Sequence, residues 1–185
     1  HFEVVAINAA SSDVTAQIPA RLASEFSGRL KVVHVAHLPA GWVGKPHALT
    51  LGLEVAIGSV VCFTDADFVF QAPSTLRTTV AELFRRDLDF YSLAARYTMT
   101  SLGECVAVPC FSEARMTWLR PELIVDPRSS TAFANEAFIL IRRDPVYQRG
   151  GWRSVRPQII SGFRVDCPRN RTGRDGRVQL GRGGP

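Results

Sequence analysis

The sequence predicts an α/β fold with a mostly parallel sheet flanked by helices. Three observations carry that prediction. Short valine-rich apolar runs recur along the chain, segments of helical periodicity lie between them, and one run ends directly in a pair of aspartates. Such runs suit strands covered on both faces, and their alternation with helices is the pattern of β-α-β units. With 185 residues and 20.4 kDa, the chain has the length to bury a core.

The first run, Phe2 to Ile7, reads as a strand, followed by the small polar loop Asn8 to Asp13. Asp13 suits the cap of a helix whose apolar positions Val14, Ile18 and Leu22 recur every four residues. Pro19 lies where it is expected to kink that helix. Leu30 to Val35 is a second strand, which completes one β-α-β unit. Lys45-Pro46 opens the next helix, proline being suited to the first helical position because its missing N–H has no partner there. Ser59 to Thr64 is a third buried strand, and Ser74 is expected to cap a helix with Leu76, Val80, Leu83 and Phe84 on its apolar side. A strand near Leu88 to Ala94 follows. Between Leu102 and Leu119, Pro109 predicts broken helical segments, then a loop through Pro127. Ala137 to Ile141 is another strand, and Asp144 to Arg149 a short helix ending at Gly150-Gly151. Residues 1–163 therefore read as one domain. Residues 164–185 are rich in arginine and glycine without periodicity and are expected to be disordered.

Composition excludes several classes of function. Hydrophobic residues make up 46% of the chain and its mean hydropathy is +0.04, values of a globular protein. No apolar run approaches the roughly 18 residues of a transmembrane helix. The net charge is +5, but six arginines against two aspartates fall after Phe163, so the folded part offers no basic face for nucleic acid. The four cysteines form no C-x-x-C pair, which argues against a structural zinc site and for reduced thiols. His34 and His37 lack further ligands at metal spacing. The chain opens at His1, without an initiator methionine or a signal peptide, and reads as a fragment.

Thr64-Asp65-Ala66-Asp67 leaves the carboxyl end of a hydrophobic strand, the edge at which open α/β sheets place their ligands. Carboxylates at i and i+2 project to one side if the backbone stays extended. Such a pair suits a hard cation, Mg²⁺ or Mn²⁺, whose shell a diphosphate completes. The same residues also fit a strand end that caps the next turn. A glycosidase is disfavoured, since its carboxyl groups stand about 5 to 9.5 Å apart across a sugar.

Three ordered motifs, LPAGWVGKPHAL, FTDAD, and FANEAFILIRRD followed by GGW, resemble the family 2 glycosyltransferases of GT-A fold. The resemblance runs from about Phe2 to Gly151. It is closest to the membrane-associated branch that includes hopanoid-associated glycosyltransferases and relatives of ceramide glucosyltransferase. It implies a Rossmann-like, mostly parallel sheet, incomplete here because the family's first strand is missing. It also implies an inverting, metal-dependent transfer of sugar from a nucleotide-diphosphate donor to a lipid-like acceptor. Asp65 and Asp67 would hold the cation, with Asp65 also touching the ribose-diphosphate, and Lys45 would add positive charge beside the phosphates. Asn8 would face the nucleobase where the family has Asp-Asp-x-Ser, and Asn135 would lie in the acceptor region. The parent protein would act at the cytoplasmic side of a membrane, through segments this chain does not contain.

The departures from the family are informative. The acid that takes the acceptor's proton is expected near Ser161 and Gly162, where no acid stands, and Asp166 is the nearest candidate. The downstream Gln-x-x-Arg-Trp element is absent, and Glu136 replaces a glycine after Asn135. A catalytically inactive donor-binding fragment is accordingly the alternative. His47 reads as a helix-surface residue, and Trp118 as core or as a lipid contact.

Overall fold

A computed structural model of the chain describes residues 1–9, 11, 13–26, 28–119, 135, 137–148 and 178–182. Two compact units are present, one formed by His1–Val61 and Arg142–Ile160, the other by Cys62–Ile141 and Ser161–Pro185.

In the first unit, β1 (Val4–Ala9) and β2 (Leu30–Val35) pair in parallel, with Val4 opposite Leu30 and Asn8 opposite His34. Between them run a 3-10 turn, Val14–Ala16, and α1 (Gln17–Glu25), which packs on β2. Asp13 caps the turn as expected, its carboxylate accepting from the Thr15 N–H at 3.0 Å. Pro19 does not kink α1. It is the helix's third residue, where a backbone N–H would have no intrahelical acceptor. Pro46 escapes the same penalty as third residue of α2 (Gly44–Val55), which packs on β1. Glu3 ties the unit together. Its carboxylate meets Lys31 Nζ at 2.7 Å and accepts from the Ile57 N–H at 2.7 Å.

The second sheet has the order β3 (Val60–Thr64), β5 (Phe138–Arg142), β4 (Phe90–Ala94), β6 (Val178–Arg182). It is mixed. β5 runs antiparallel to β4, and also to β3, because the start of β5 meets the end of β3 while the Arg143 N–H reaches back to Ser59 O. As an inner strand, β5 is covered on both faces: Phe138, Ile139, Leu140 and Ile141 are at most 1% exposed. Burying each of those side chains is worth about 1.5–3 kcal/mol, so the core lies here. β6 pairs in parallel with β4 inside the stretch expected to be patternless. Its only signal is Val178 and Leu180 alternating across one glutamine, too short to register as a strand.

The helices around this sheet show where simple rules apply and where they bend. α3 (Thr75–Arg85) follows Ser74, but the serine is itself helical and its hydroxyl makes no capping bond. Of the residues expected on the apolar side, Leu83 is buried and Phe84 is half exposed, while Thr79 faces inward as well. The helix closes in a Schellman motif: the Leu88 N–H bonds Leu83 O at 2.9 Å and the Asp87 N–H bonds Phe84 O at 3.1 Å. Asp87 takes the left-handed position at φ 51°, and Leu83 and Leu88 are the buried apolar pair that accompanies such a turn. α4 (Leu102–Leu119) is continuous through Pro109, contrary to the expected break. Proline there removes the bond to the Cys105 carbonyl, and Cys105 is exposed, so water can replace the donor. Ser101 and Glu104 close the start of α4 as a capping box: Glu104 Oε2 accepts from the Thr100 and Ser101 N–H groups, and the Glu104 N–H donates to Ser101 Oγ. A short α5 (Arg143–Gln148) follows β5. Among the described residues no helix is long and apolar enough to cross a membrane. The loop through Pro127, Gly150-Gly151, Ser161, Gly162 and Asp166 lie outside the described residues.

Candidate functional site

The second unit carries the paired aspartates. β3 ends at Thr64, and the chain turns at once: the Phe68 N–H donates to Asp65 O at 3.2 Å, with Ala66 and Asp67 as the central residues. The extended backbone that would set both carboxylates on one side by strand pleat is therefore not what relates them. A turn relates them instead, with Asp65 half-buried and Asp67 exposed.

Both ends of that turn are fastened to the start of β5. Upstream, the Thr64 hydroxyl donates to Ala137 O at 3.1 Å, with Asp65 O at 3.3 Å sharing the proton. Downstream, the Phe68 ring lies against Phe138 and Phe70, with centroids 5.7 and 5.1 Å away. Phe138 is fully buried, so the aromatic anchor sits on a fixed support.

Asn135 is 9% exposed and committed to its own loop. Its Oδ1 accepts from the Ala137 N–H at 3.2 Å, and its N–H donates to Ser92 Oγ at 2.9 Å. The Ser92 hydroxyl in turn donates toward Phe138 O at 3.0 Å and Asn135 O at 3.1 Å. Ser92 is wholly buried between Tyr91 and Leu93, and a hydroxyl there is tolerated because it both accepts a hydrogen bond and donates its proton. Asp65, Asp67 and the Asn135 loop thus lie at one edge of the sheet. Thr64 and Ser92 complete the arrangement, although the sequence assigned neither a role. Nothing local marks Ser92, whose partners are 43 and 46 positions away.

The first unit carries Asn8 and Lys45. Asn8 is the penultimate residue of β1, and its Oδ1 is occupied by the Ser11 hydroxyl at 2.6 Å and the Ser11 N–H at 3.3 Å. Its amide nitrogen lies 3.2 Å from His34 Nδ1. With Asn8 donating there, the proton of a neutral His34 ring sits on Nε2, so this strand end presents N–H donors and the Asn8 carbonyl is already spent. Lys45 is exposed in the first turn of α2, whose N-cap Val43 supplies no side-chain bond. The approach to α2 is a tight turn in which the Trp42 N–H reaches Pro39 O at 3.1 Å, and Gly41 supplies the left-handed φ of 78° at its third position. Trp42 and His47 then meet edge to face at 5.3 Å.

Among the described residues, no group of three or more histidine, cysteine, aspartate or glutamate side chains is placed to hold a metal ion. A two-carboxylate turn still suits Mg²⁺ or Mn²⁺, which are commonly held by one or two carboxylates and complete their shells with water and substrate phosphates. The donor set is all hard oxygen and open to solvent at Asp67, so the residues present fit such an ion.

The chain resembles known proteins in two comparisons. The family model described as "Glycosyl transferase family 2" matches residues 1–150. Among solved structures, a mannosyltransferase from Pyrobaculum calidifontis in complex with GDP-Man and Mn²⁺ is similar, with 25% identity and a TM-score of 0.57. The match covers 80% of this chain and 37% of that one, so the chain spans well under half the length of that structure. No curated protein matches. An α/β fold of GT-A type and a family match over most of the chain agree, and the chain belongs to glycosyl transferase family 2, a family of glycosyltransferase enzymes.

Proposed function

We propose that this chain forms the donor-handling part of a metal-dependent, inverting glycosyltransferase that moves a sugar from a nucleoside diphosphate to a lipid-like acceptor. The observation that carries this reading is the Asp65–Asp67 turn, fastened at both ends to β5 through Thr64–Ala137 and Phe68–Phe138. A carboxylate-bearing turn whose flanks are held in place before its ligand arrives suits the binding of a metal diphosphate. The mannosyltransferase that resembles this chain binds GDP-Man and Mn²⁺, which supports the same chemistry.

Asp65 and Asp67 would hold the cation, and Asp65 would also meet the ribose-diphosphate. A bound Mg²⁺ or Mn²⁺ supplies Lewis-acid neutralisation of the charge that builds on the departing diphosphate. Lys45, with the uncapped N–H groups of α2 around it, is assigned to the phosphates. Asn8 is assigned to the nucleoside, reading it through N–H because its carbonyl is taken. The lipid-like acceptor and an action at the cytoplasmic side of a membrane rest on the sequence resemblance to the hopanoid-associated and ceramide glucosyltransferase branch.

A second reading, a donor-binding module without turnover, is favoured by one observation. The sequence has no acid near Ser161 and Gly162 to take the acceptor's proton, and such a base is worth about 10² to 10⁴ in rate.

Calorimetry with GDP-mannose, with and without Mn²⁺, tests the proposal. Binding that needs Mn²⁺, vanishes with EDTA and is abolished in Asp67→Ala supports it. Unchanged affinity in Asp67→Ala overturns the assignment of that residue. Mn²⁺-dependent binding with no sugar released to any acceptor selects the inactive module.

A further inference from the structure

We propose that Thr64 is a positioning residue for the Asp65–Asp67 turn, and that Ser92 and Asn135 act behind it by fixing the loop to which Thr64 is bonded. This deepens the donor-binding reading above and rests on it.

The inference follows from where the hydrogen bonds go. Thr64 is exposed at the last position of β3. Its hydroxyl is nevertheless directed at Ala137 O, 73 positions away, at 3.1 Å. Residues beside that carbonyl are tied by hydrogen bonds. The Ala137 N–H is held by Asn135 Oδ1, the Phe138 N–H by Asn135 O, and the Asn135 N–H by the buried Ser92 hydroxyl. A continuous series of hydrogen bonds therefore runs from the core of β4, through the Asn135–Phe138 loop, to the residue that precedes Asp65.

Asn135 changes role in this picture. The resemblance to the family placed it beside the acceptor, but its side-chain oxygen and its carbonyl bond the Ala137 and Phe138 N–H groups, and its own N–H bonds Ser92. It shapes the support for the carboxylate turn. Removing the Thr64 hydroxyl releases the upstream end of that turn and leaves the downstream aromatic anchor in place. The carboxylates then sample more geometries before an ion and a diphosphate bind, and affinity falls although the fold persists.

The test measures Mn²⁺ binding by electron paramagnetic resonance of the full chain in the presence of GDP, for the parent, Thr64→Val, Thr64→Ser and Asp67→Ala, with the thermal midpoint of each. Valine keeps the shape of threonine and lacks the hydroxyl, whereas serine keeps the hydroxyl. Thr64→Val is expected to weaken binding by about fivefold to tenfold, the scale of one lost hydrogen bond. Its thermal midpoint should stay close to that of the parent, and Thr64→Ser should recover binding to within about twofold. If Thr64→Val binds like the parent while Asp67→Ala does not bind, the positioning role is wrong and the donor reading stands. Equal losses in Thr64→Val and Thr64→Ser also overturn it, because the hydroxyl is then not the cause. Should the parent bind no Mn²⁺ with GDP, both the donor reading and this inference fail.

Discussion

Glu3 and Ile57 are joined by one hydrogen bond of 2.7 Å, from the Ile57 N–H to the Glu3 carboxylate, across 54 positions of sequence. The same carboxylate holds Lys31 at 2.7 Å, so the lead-in to β1, the start of β2 and the segment after α2 meet on one side chain.

The Lys31 and Ile57 hydrogen bonds keep the Glu3 carboxyl below its ordinary value of 4.5. A group whose folded value is depressed stabilises the fold fully above its unfolded value and loses that contribution as pH falls below it. Glu3→Gln is expected to lower the thermal midpoint at pH 7 by a few degrees and to leave the difference from the parent smaller at pH 3. Thermal melts at the two pH values check both.

The capping box at α4 gives a second acid-sensitive contact. Hydrogen bonds from the Thr100 and Ser101 backbone hold the Glu104 carboxyl down to about 2 from an ordinary 4.5. Its stabilisation is complete above 4.5 and disappears as pH drops toward 2. Ser101→Ala and Glu104→Gln are each expected to lose helix content at neutral pH, and the Glu104→Gln signal should be flatter between pH 5 and 2. Far-ultraviolet circular dichroism over that range is the measurement.

Asp87 occupies a left-handed position that costs an ordinary residue about 1–2 kcal/mol and glycine nearly nothing. Asp87→Gly should therefore raise stability by up to about 1 kcal/mol, after the greater freedom of glycine in the unfolded chain is set against it. A higher urea midpoint with an unchanged slope is the expected result.

Ser92→Ala strips the Asn135 N–H of its acceptor in a buried setting. Leaving a buried donor unsatisfied costs about 1–3 kcal/mol. Urea unfolding should show a loss in that range, and hydrogen exchange at Asn135 and Phe138 should speed up well before the rest of β5.

Burial pushes the Cys62 thiol up to about 12, whereas Cys105 and Cys110 are exposed on α4. A thiol reagent at pH 8 should modify Cys105 and Cys110 within minutes and Cys62 only on unfolding, because the thiolate is the nucleophile. Peptide mapping after brief labelling distinguishes the sites.

The strands were legible because a doubly covered strand must be apolar throughout. Ser59 to Thr64 and Ala137 to Ile141 read as strands and are strands to within a residue at each end. The aspartate pair was legible from its place after β3. Its geometry was not, since the turn at Ala66-Asp67 depends on Thr64 finding Ala137 and Phe68 finding Phe138. Pro109 misled because a local rule about lost hydrogen bonds does not say whether water can reach the orphaned carbonyl. The direction of β5 was hidden for a similar reason. Strand order and sense are long-range properties, and alternation of strands with helices favours a parallel sheet only on average. The Ser101-x-x-Glu104 spacing, which went unread in the sequence, is a local signal that marks the start of α4.

Placing β5 between β3 and β4 has a consequence for biogenesis. During synthesis β3 and β4 leave the ribosome first, and each lacks its shared neighbour until residue 142 has emerged. The borders that β5 will fill are exposed for that interval, the condition under which nascent chains recruit one another. The wait closes in a single insertion that joins β3 and β4 through β5, so a polypeptide halted before Phe138 should be a client for chaperones and an aggregation hazard.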